Sequence, residues 1–261
     1  VRENVIAESE AIIGTPGFRR TFWRRLAPVG AGLRELVLIT VLYVGYTSSR
    51  LLASNDREAA VHRANELLRI ERAVRLNWEH PINEFFVRHD TIGLLACFWY
   101  ATAHYIVTAG VLVWVYFKGR DAYVPARRAL MVATIFALTL YLMLPTAPPR
   151  FMDGFTDVLA LHADQGWWGG DASAPKGMGH ITNELAAFPS LHAGWSLWCA
   201  LVLQRYARWR IVKVLGWIGA FVTAAVVVGT ANHWVLDVMV GWMVVIGGVV
   251  AVWELTPRLP E

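Results

Sequence analysis

His233 and Asp237 stand four residues apart in this 261-residue chain. That spacing puts both side chains on one face of a helix. A carboxylate one turn from an imidazole can accept its Nδ1–H. It then orients the ring and favours the imidazolium that forms when the other nitrogen attacks an electrophile. Two other segments carry polar groups at the edges of apolar runs. In Phe188-Pro189-Ser190-Leu191-His192 a serine follows proline and precedes an apolar stretch, which suits a helix N-cap. The N–H groups of that first turn, from Leu191 onward, form an anion site with the helix dipole, and His192 projects from the same turn. In Pro148-Pro149-Arg150 a stiffened segment presents a guanidinium that can fork onto phosphate oxygens. Two histidines, an orienting carboxylate, an arginine and a helix N-terminus are the parts phosphoryl transfer needs, namely positioning and charge neutralisation around an in-line displacement.

Taken singly, each motif has an ordinary structural explanation. A His–Asp pair can be a satisfied buried hydrogen bond, Pro-Ser-x-His a helix start, and Pro-Pro-Arg a rigid turn. Zinc is a competing reading of the two histidines and the aspartate. The chain has no His-Glu-x-x-His and no cysteine pair, however, and Asp237 is better spaced to orient His233 than to share a metal with it. The expectation is therefore phosphate chemistry with no metal and no cofactor.

The elements that must position these groups are membrane helices. Hydrophobic residues make up 56% of the chain and charged ones 17%, against about 25% charged in soluble domains; the mean hydropathy is +0.41. Soluble, disordered and fibrous classes are excluded. Six apolar runs fall at roughly Leu33–Ala53, Thr91–Phe117, Ala126–Leu144, Ser190–Leu203, Ile211–Thr230 and Trp234–Trp253, against the ~20 residues a span requires. The fold class expected is an all-α integral membrane protein, a six-helix transmembrane bundle. It forms a single membrane domain over 1–261, with a basic N-terminal segment at 1–32 and a catalytic core at 91–253. Between the first two spans, 54–90 places Ala60, Val61, Ala64, Leu67, Leu68 and Ile70 at helical spacing among mixed charges, which reads as an amphipathic surface helix.

Charge sets the orientation. Arg19, Arg20, Arg24 and Arg25 precede the first run. Lys118, Arg120, Arg127 and Arg128 follow the second, and Arg205, Arg208, Arg210 and Lys213 follow the fourth. By the positive-inside rule these segments and both termini are cytoplasmic, so the three motif segments share the outer face. Arg19–Arg25 with Phe22 and Trp23 reads as an interfacial anchor, and no signal peptide is visible. Only three of the 24 basic residues are lysine, a bias that points to a GC-rich bacterial genome; with the six apolar runs, the expected location is a cell membrane that the chain crosses several times. The pI of about 9.3 reflects basic loops rather than a nucleic-acid surface. Cys97 and Cys199 lie inside apolar runs and read as packing residues. His104, with Tyr100 one turn before it, is a polar pair at mid-span, suited either to an interhelical hydrogen bond or to the pocket. Trp167 and Trp168 read as interfacial aromatics.

The order and spacing of Ala147-Pro148-Pro149-Arg150, Ala186-Ala187-Phe188-Pro189-Ser190-Leu191-His192 and His233-x-x-x-Asp237 resemble the type 2 phosphatidic acid phosphatase superfamily. The likeness is greatest to its inositolphosphotransferase-like branch, related to fungal inositol phosphorylceramide synthase, and it covers roughly residues 91–253. The resemblance implies that His233 attacks phosphorus and becomes phosphohistidine, that Asp237 orients it, and that His192 protonates the leaving group. It further implies that Arg150 and Ser190 bind phosphate. The chain departs from the wider superfamily at two cationic positions, where it has Met143 and Val227, and Leu191 replaces a glycine in the manner of that branch. Lys176, His180, His104 and Asn232 are the candidates to replace the missing cations, and Asn183 is a further candidate pocket residue. Fewer cations suit a phosphodiester, which carries less charge than a monoester. The implied substrate is a membrane phospholipid or lipid-linked phosphate, with a polyol, a sugar or water as acceptor. A catalytically silent protein that binds anionic lipid is the alternative from a different class.

Overall fold

A computed structural model describes residues 56–168, 185 and 187–255, with scattered positions between 35 and 48. The Arg19–Arg25 segment and the candidates Lys176, His180 and Asn183 lie outside the described residues. The chain divides into two compact units, Val1–Ser48 and Ser49–Glu261. The described positions of the first are helical. The second is helical throughout its ordered elements, and no strand occurs among the described residues.

Its elements are α1 (Arg57–Ala73), α2 (Glu79–Arg88), α3 (Asp90–Phe117), α4 (Arg120–Met143), the single turn α5 (Val158–Leu161), α6 (Leu191–Tyr206), α7 (Arg210–Gly229) and α8 (Val235–Leu255). Helices α3, α4, α7 and α8 are long and apolar enough to cross a membrane. Helix α6 has 16 residues, about 24 Å of rise against a hydrocarbon core of ~30 Å, so it falls short of that length. Leu95, Ile106, Ile135, Phe136, Phe221 and Ile246 are exposed on these helices, as side chains facing lipid would be.

The region read as one amphipathic surface helix is two helices. Asp56 caps α1 by accepting from the Ala59 N–H at 3.0 Å. The helix ends where Arg75 takes a φ of 58° and the Leu76 N–H folds back to Glu71 O at 2.8 Å. A left-handed residue at that point breaks the helical run, and α2 sets off again at Glu79. The buried face of α1 is Ala60, Ala64, Leu67 and Glu71. It packs with Ala147, Leu185, Ala187 and Trp234, whereas Ile70 is exposed.

Close packing follows from small residues. Ala122, Ala126, Ala129, Ala133 and Ala137 form a buried stripe on α4. A Cβ on Gly248 of α8 would lie 3.2 Å from Ala129 O, so this pair of helices meets at backbone distance, the small-residue mode of membrane packing. Elsewhere Trp198 Nε1 donates to Ala126 O at 2.9 Å and Trp195 Nε1 to Thr134 Oγ1 at 3.0 Å, tying α6 to α4. Cys97 and Cys199 are free and buried. Trp168, expected at the interface, is instead fully buried, with its Nε1 donating to Leu159 O at 3.0 Å.

The chain turns within a few residues after α3 and after α6. Consecutive helices therefore run antiparallel, and the C-terminus of α4 and the N-termini of α6 and α8 meet at one end. The other end carries Lys118 over the Trp114 ring at 5.1 Å, Arg127 over Tyr123 at 5.5 Å and Arg205 over Trp253 at 4.4 Å. That is a basic and aromatic rim of the kind found at membrane interfaces.

Candidate active site

Ser190 begins the site. Its Oγ accepts from the Ala193 N–H at 3.3 Å, so the residue after Pro189 caps α6 as its type predicts. Its own N–H donates to Asp237 O at 3.0 Å, which fastens the start of α6 to the first turn of α8. The approach needs a residue without a side chain. A Cβ on Gly241 would lie 2.4 Å from Ser190 O, and one on Gly194 would lie 3.3 Å from Gly241 O. Two glycines thus bring the helix bearing His192 against the helix bearing Asp237.

His233 sits just before α8 in the loop Thr230–Trp234, which closes tightly. Ala231 has a φ of 59°, and the N–H groups of Asn232 and His233 both donate to Val227 O, at 3.2 and 3.0 Å. The side chain of His233 is buried. Its Nδ1 lies 2.8 Å from Ala187 O and 3.5 Å from Asp237 Oδ2. The closer partner is a backbone carbonyl of the segment leading into α6, which the helical spacing of His233 and Asp237 did not reveal. Asp237, fully buried, also accepts from the Trp234 N–H through Oδ2 at 2.8 Å. A histidine with Nδ1–H held in this way has Nε2 as its basic nitrogen.

The ring of His192 lies 5.7 Å from that of His233. It stacks on Tyr100 at 4.4 Å and sits 3.8 Å from the ring of His104. Tyr100 and His104 on α3 therefore belong to the same cluster as the two histidines. Leu191 is the first residue of α6, so its contribution is a first-turn N–H.

Arg150 is anchored beside the His233 loop. Its backbone N–H donates to Ala231 O at 2.9 Å, and its guanidinium bonds Asn232 Oδ1. Nε lies 3.5 Å from Asp157 Oδ2, and the side chain is 6% exposed. Asn232 in turn donates to Thr230 O and Oγ1 at 3.1 Å. Asn232 thus links the arginine to the loop that carries His233. The two positions that depart from the wider superfamily are an exposed methionine, Met143, and a buried valine, Val227. Among the described residues no group of three His, Cys, Asp or Glu side chains is placed to hold a metal ion.

Three buried residues of α1 and α2, unremarked in the sequence, bond to the segments around the site. Asn83 of α2 donates to Thr156 O at 2.9 Å and Gly229 O at 2.8 Å, and accepts from the Thr156 N–H at 3.0 Å. Glu79 accepts from the Val235 N–H at 2.9 Å, and Glu71 from the Leu236 N–H at 2.7 Å. The signal for Glu71 was its phase, since it continues the buried series Ala60, Ala64, Leu67 at helical spacing.

No curated protein and no solved structure matches the chain. A family model does, over residues 65–251, and that span contains all three motif segments and most of the surface segment. With the two histidines, the buried aspartate and the arginine gathered where α4, α6 and α8 meet, the match fixes the assignment: the chain belongs to the PAP2 superfamily, whose members are phosphatases or phosphotransferases acting on phosphate esters.

Proposed function

We propose that the protein is a polytopic membrane enzyme of the inositolphosphotransferase-like branch. In this reading it moves a phospho-headgroup from a lipid donor to a hydroxyl acceptor such as inositol or another polyol, through phosphohistidine at His233. The observation that carries it is the pair of acceptors on His233 Nδ1, Ala187 O and Asp237 Oδ2, which keeps the other nitrogen available for attack. Nε2 adds to phosphorus as the bond to the lipid oxygen breaks, and His192 gives that oxygen a proton. The acceptor hydroxyl then attacks the phosphohistidine, returns a proton to His192 and frees His233. Arg150 and the first-turn N–H groups of α6, at Leu191 and His192, neutralise the charge that builds on the equatorial oxygens.

Two features favour a lipid phosphodiester. The positions Met143 and Val227 supply no cation, which suits a phosphate of lower charge. A cleft of about 230 Å³ lies between α3, α6 and α7, walled by Trp99, Val107, Leu203 and Leu215, with His104 on its wall. Its apolar lining suits a hydrocarbon chain beside the histidine cluster. The same reading counts six spans, taking the first apolar run and α6 with the four long helices, and faces the site outward.

Purified protein incubated with radiolabelled phospholipids, with and without inositol, tests this directly. A new phosphodiester that depends on the polyol is expected. Release of the headgroup as its phosphate monoester, or of free phosphate from a lipid phosphomonoester, with no polyol-dependent product would make water the acceptor and remove the transferase assignment. The absence of any product from lipid phosphates would overturn the enzymatic reading.

A further inference from the structure

Three successive N–H groups open α8, and each is taken by a carboxyl group: Trp234 by Asp237, Val235 by Glu79 and Leu236 by Glu71, at 2.8, 2.9 and 2.7 Å. Glu71 is 0% exposed and Glu79 1%. They come from different helices, α1 and α2, joined by the turn at Arg75. An ordinary cap needs one side chain. Here two glutamates from a segment outside the bundle are driven into the interior to reach consecutive amides of the helix that carries Asp237 and follows His233.

We propose that Glu71 and Glu79 form a carboxyl pair sharing one proton, and that this pair positions His233 and Asp237 for attack by clamping α1 and α2 onto the N-terminus of α8. The inference rests on the reading of His233 as nucleophile and adds residues to its machinery. Its geometry requires the proton. Glu71 Oε1 is occupied by the Leu236 N–H, and Oε2 meets no N–H donor; the group beside it is the Glu79 carboxyl. Two buried carboxylate oxygens side by side repel unless a proton lies between them. The charged groups that act on Glu71 are Glu79 of α2 and Asp237 of α8, both acidic, with His233 paired to the latter. One proton leaves a single negative charge on the pair, which the positive end of the α8 dipole stabilises.

Burial works in the same direction. Burial pushes the Glu71 carboxyl up from its ordinary value of 4.5 to about 9, with Glu79 and Asp237 adding to the rise and the Leu236 N–H opposing it. The folded protein therefore keeps a proton that the unfolded chain releases. The stability that this group contributes is full below about pH 4.5 and is lost as pH rises to about 9. Above that, Glu71 ionises in place and the pair is forced apart.

Glutamine at 71 is isosteric with the protonated acid. It accepts from Leu236 and donates to Glu79. Glu71→Gln is expected to keep kcat within about threefold of wild type, whereas Glu71→Ala lowers kcat by about 10–100-fold with KM nearly unchanged, the size expected for misplaced reacting groups. Wild-type activity is expected to fall above about pH 9, where Glu71 ionises, and Glu71→Gln is expected to lack that alkaline limb. A second measurement does not depend on turnover. Amide hydrogen exchange at Leu236 accelerates in Glu71→Ala and returns to the wild-type rate in Glu71→Gln, and the melting temperature of Glu71→Gln loses its decline between pH 5 and 9. An unchanged exchange rate at Leu236 in Glu71→Ala, or the same alkaline limb and melting profile in Glu71→Gln as in wild type, overturns the pair. Wild-type protein with no phosphoester turnover strikes the nucleophile assignment instead, and the exchange and melting data still decide the clamp.

Discussion

His233 has its Nδ1 between a backbone carbonyl and a carboxylate, so the imidazole is oriented by parts of two different segments. Replacing it with alanine is expected to abolish turnover while leaving a monodisperse protein in detergent; wild-type-like activity in that folded variant would remove it from the mechanism. His192→Ala is expected to slow turnover by about 10²–10⁴-fold, the usual contribution of a general acid. A leaving group that needs no proton, such as a nitrophenolate, should restore much of that rate, and failure to do so would argue that His192 acts only through packing on Tyr100. Charge neutralisation here is assigned to Arg150 and helix N–H groups. Activity should therefore survive excess chelator, and a loss reversed by added zinc or magnesium would install a metal in the site.

At the scale of elements, the site exists because α6 and α8 touch through Gly194 and Gly241. Gly241→Ala places a Cβ 2.4 Å from Ser190 O, a backbone atom that cannot swing away. A stability loss of about 1–3 kcal/mol is expected from such overpacking, together with reduced turnover; an unshifted melting temperature would show that the helices have room to part. The helices themselves were legible in the sequence because each bears a continuous apolar run, and their ends lie within a few residues of the expected positions for α3, α6, α7 and α8. Helix α4 begins six residues before its apolar run, at Arg120, since its first turns carry charge. The break at Arg75 was not legible, as nothing in Ala73-Val74-Arg75-Leu76 is a turn residue by type. His192, His233, Asp237, Arg150 and Ser190 were legible as types at spacings. The Ala187 carbonyl was not, because any residue supplies one and only the fold says which. Glu71 could be found only by its phase with Ala60, Ala64 and Leu67, and nothing in the type or spacing of Glu79 marks it, so that burial alone distinguishes it.

At the largest scale, charge is uneven between the two ends of the helices in the second unit. The three motif segments gather at the end opposite Lys118, Arg120, Arg205, Arg208 and Arg210. The proposed orientation puts that basic end in the cytoplasm. With Cys97 and Cys199 replaced, a single cysteine at Asp153 is expected to react with an impermeant thiol reagent on intact cells, and one at Arg208 is not. The reverse pattern would place the site on the cytoplasmic side and require a cytoplasmic-leaflet lipid as substrate.

The central claim is that phosphorus becomes bonded to His233. Rapid quenching of wild-type protein with a lipid donor carrying ³²P in its phosphate tests it most directly. The account predicts label on the protein that is stable to base and lost in acid, as a phosphoramidate is. It maps to the peptide containing His233, is absent from His233→Ala, and is discharged by the hydroxyl acceptor at the rate of turnover. Turnover without protein-bound label, or label that persists in His233→Ala, would contradict it.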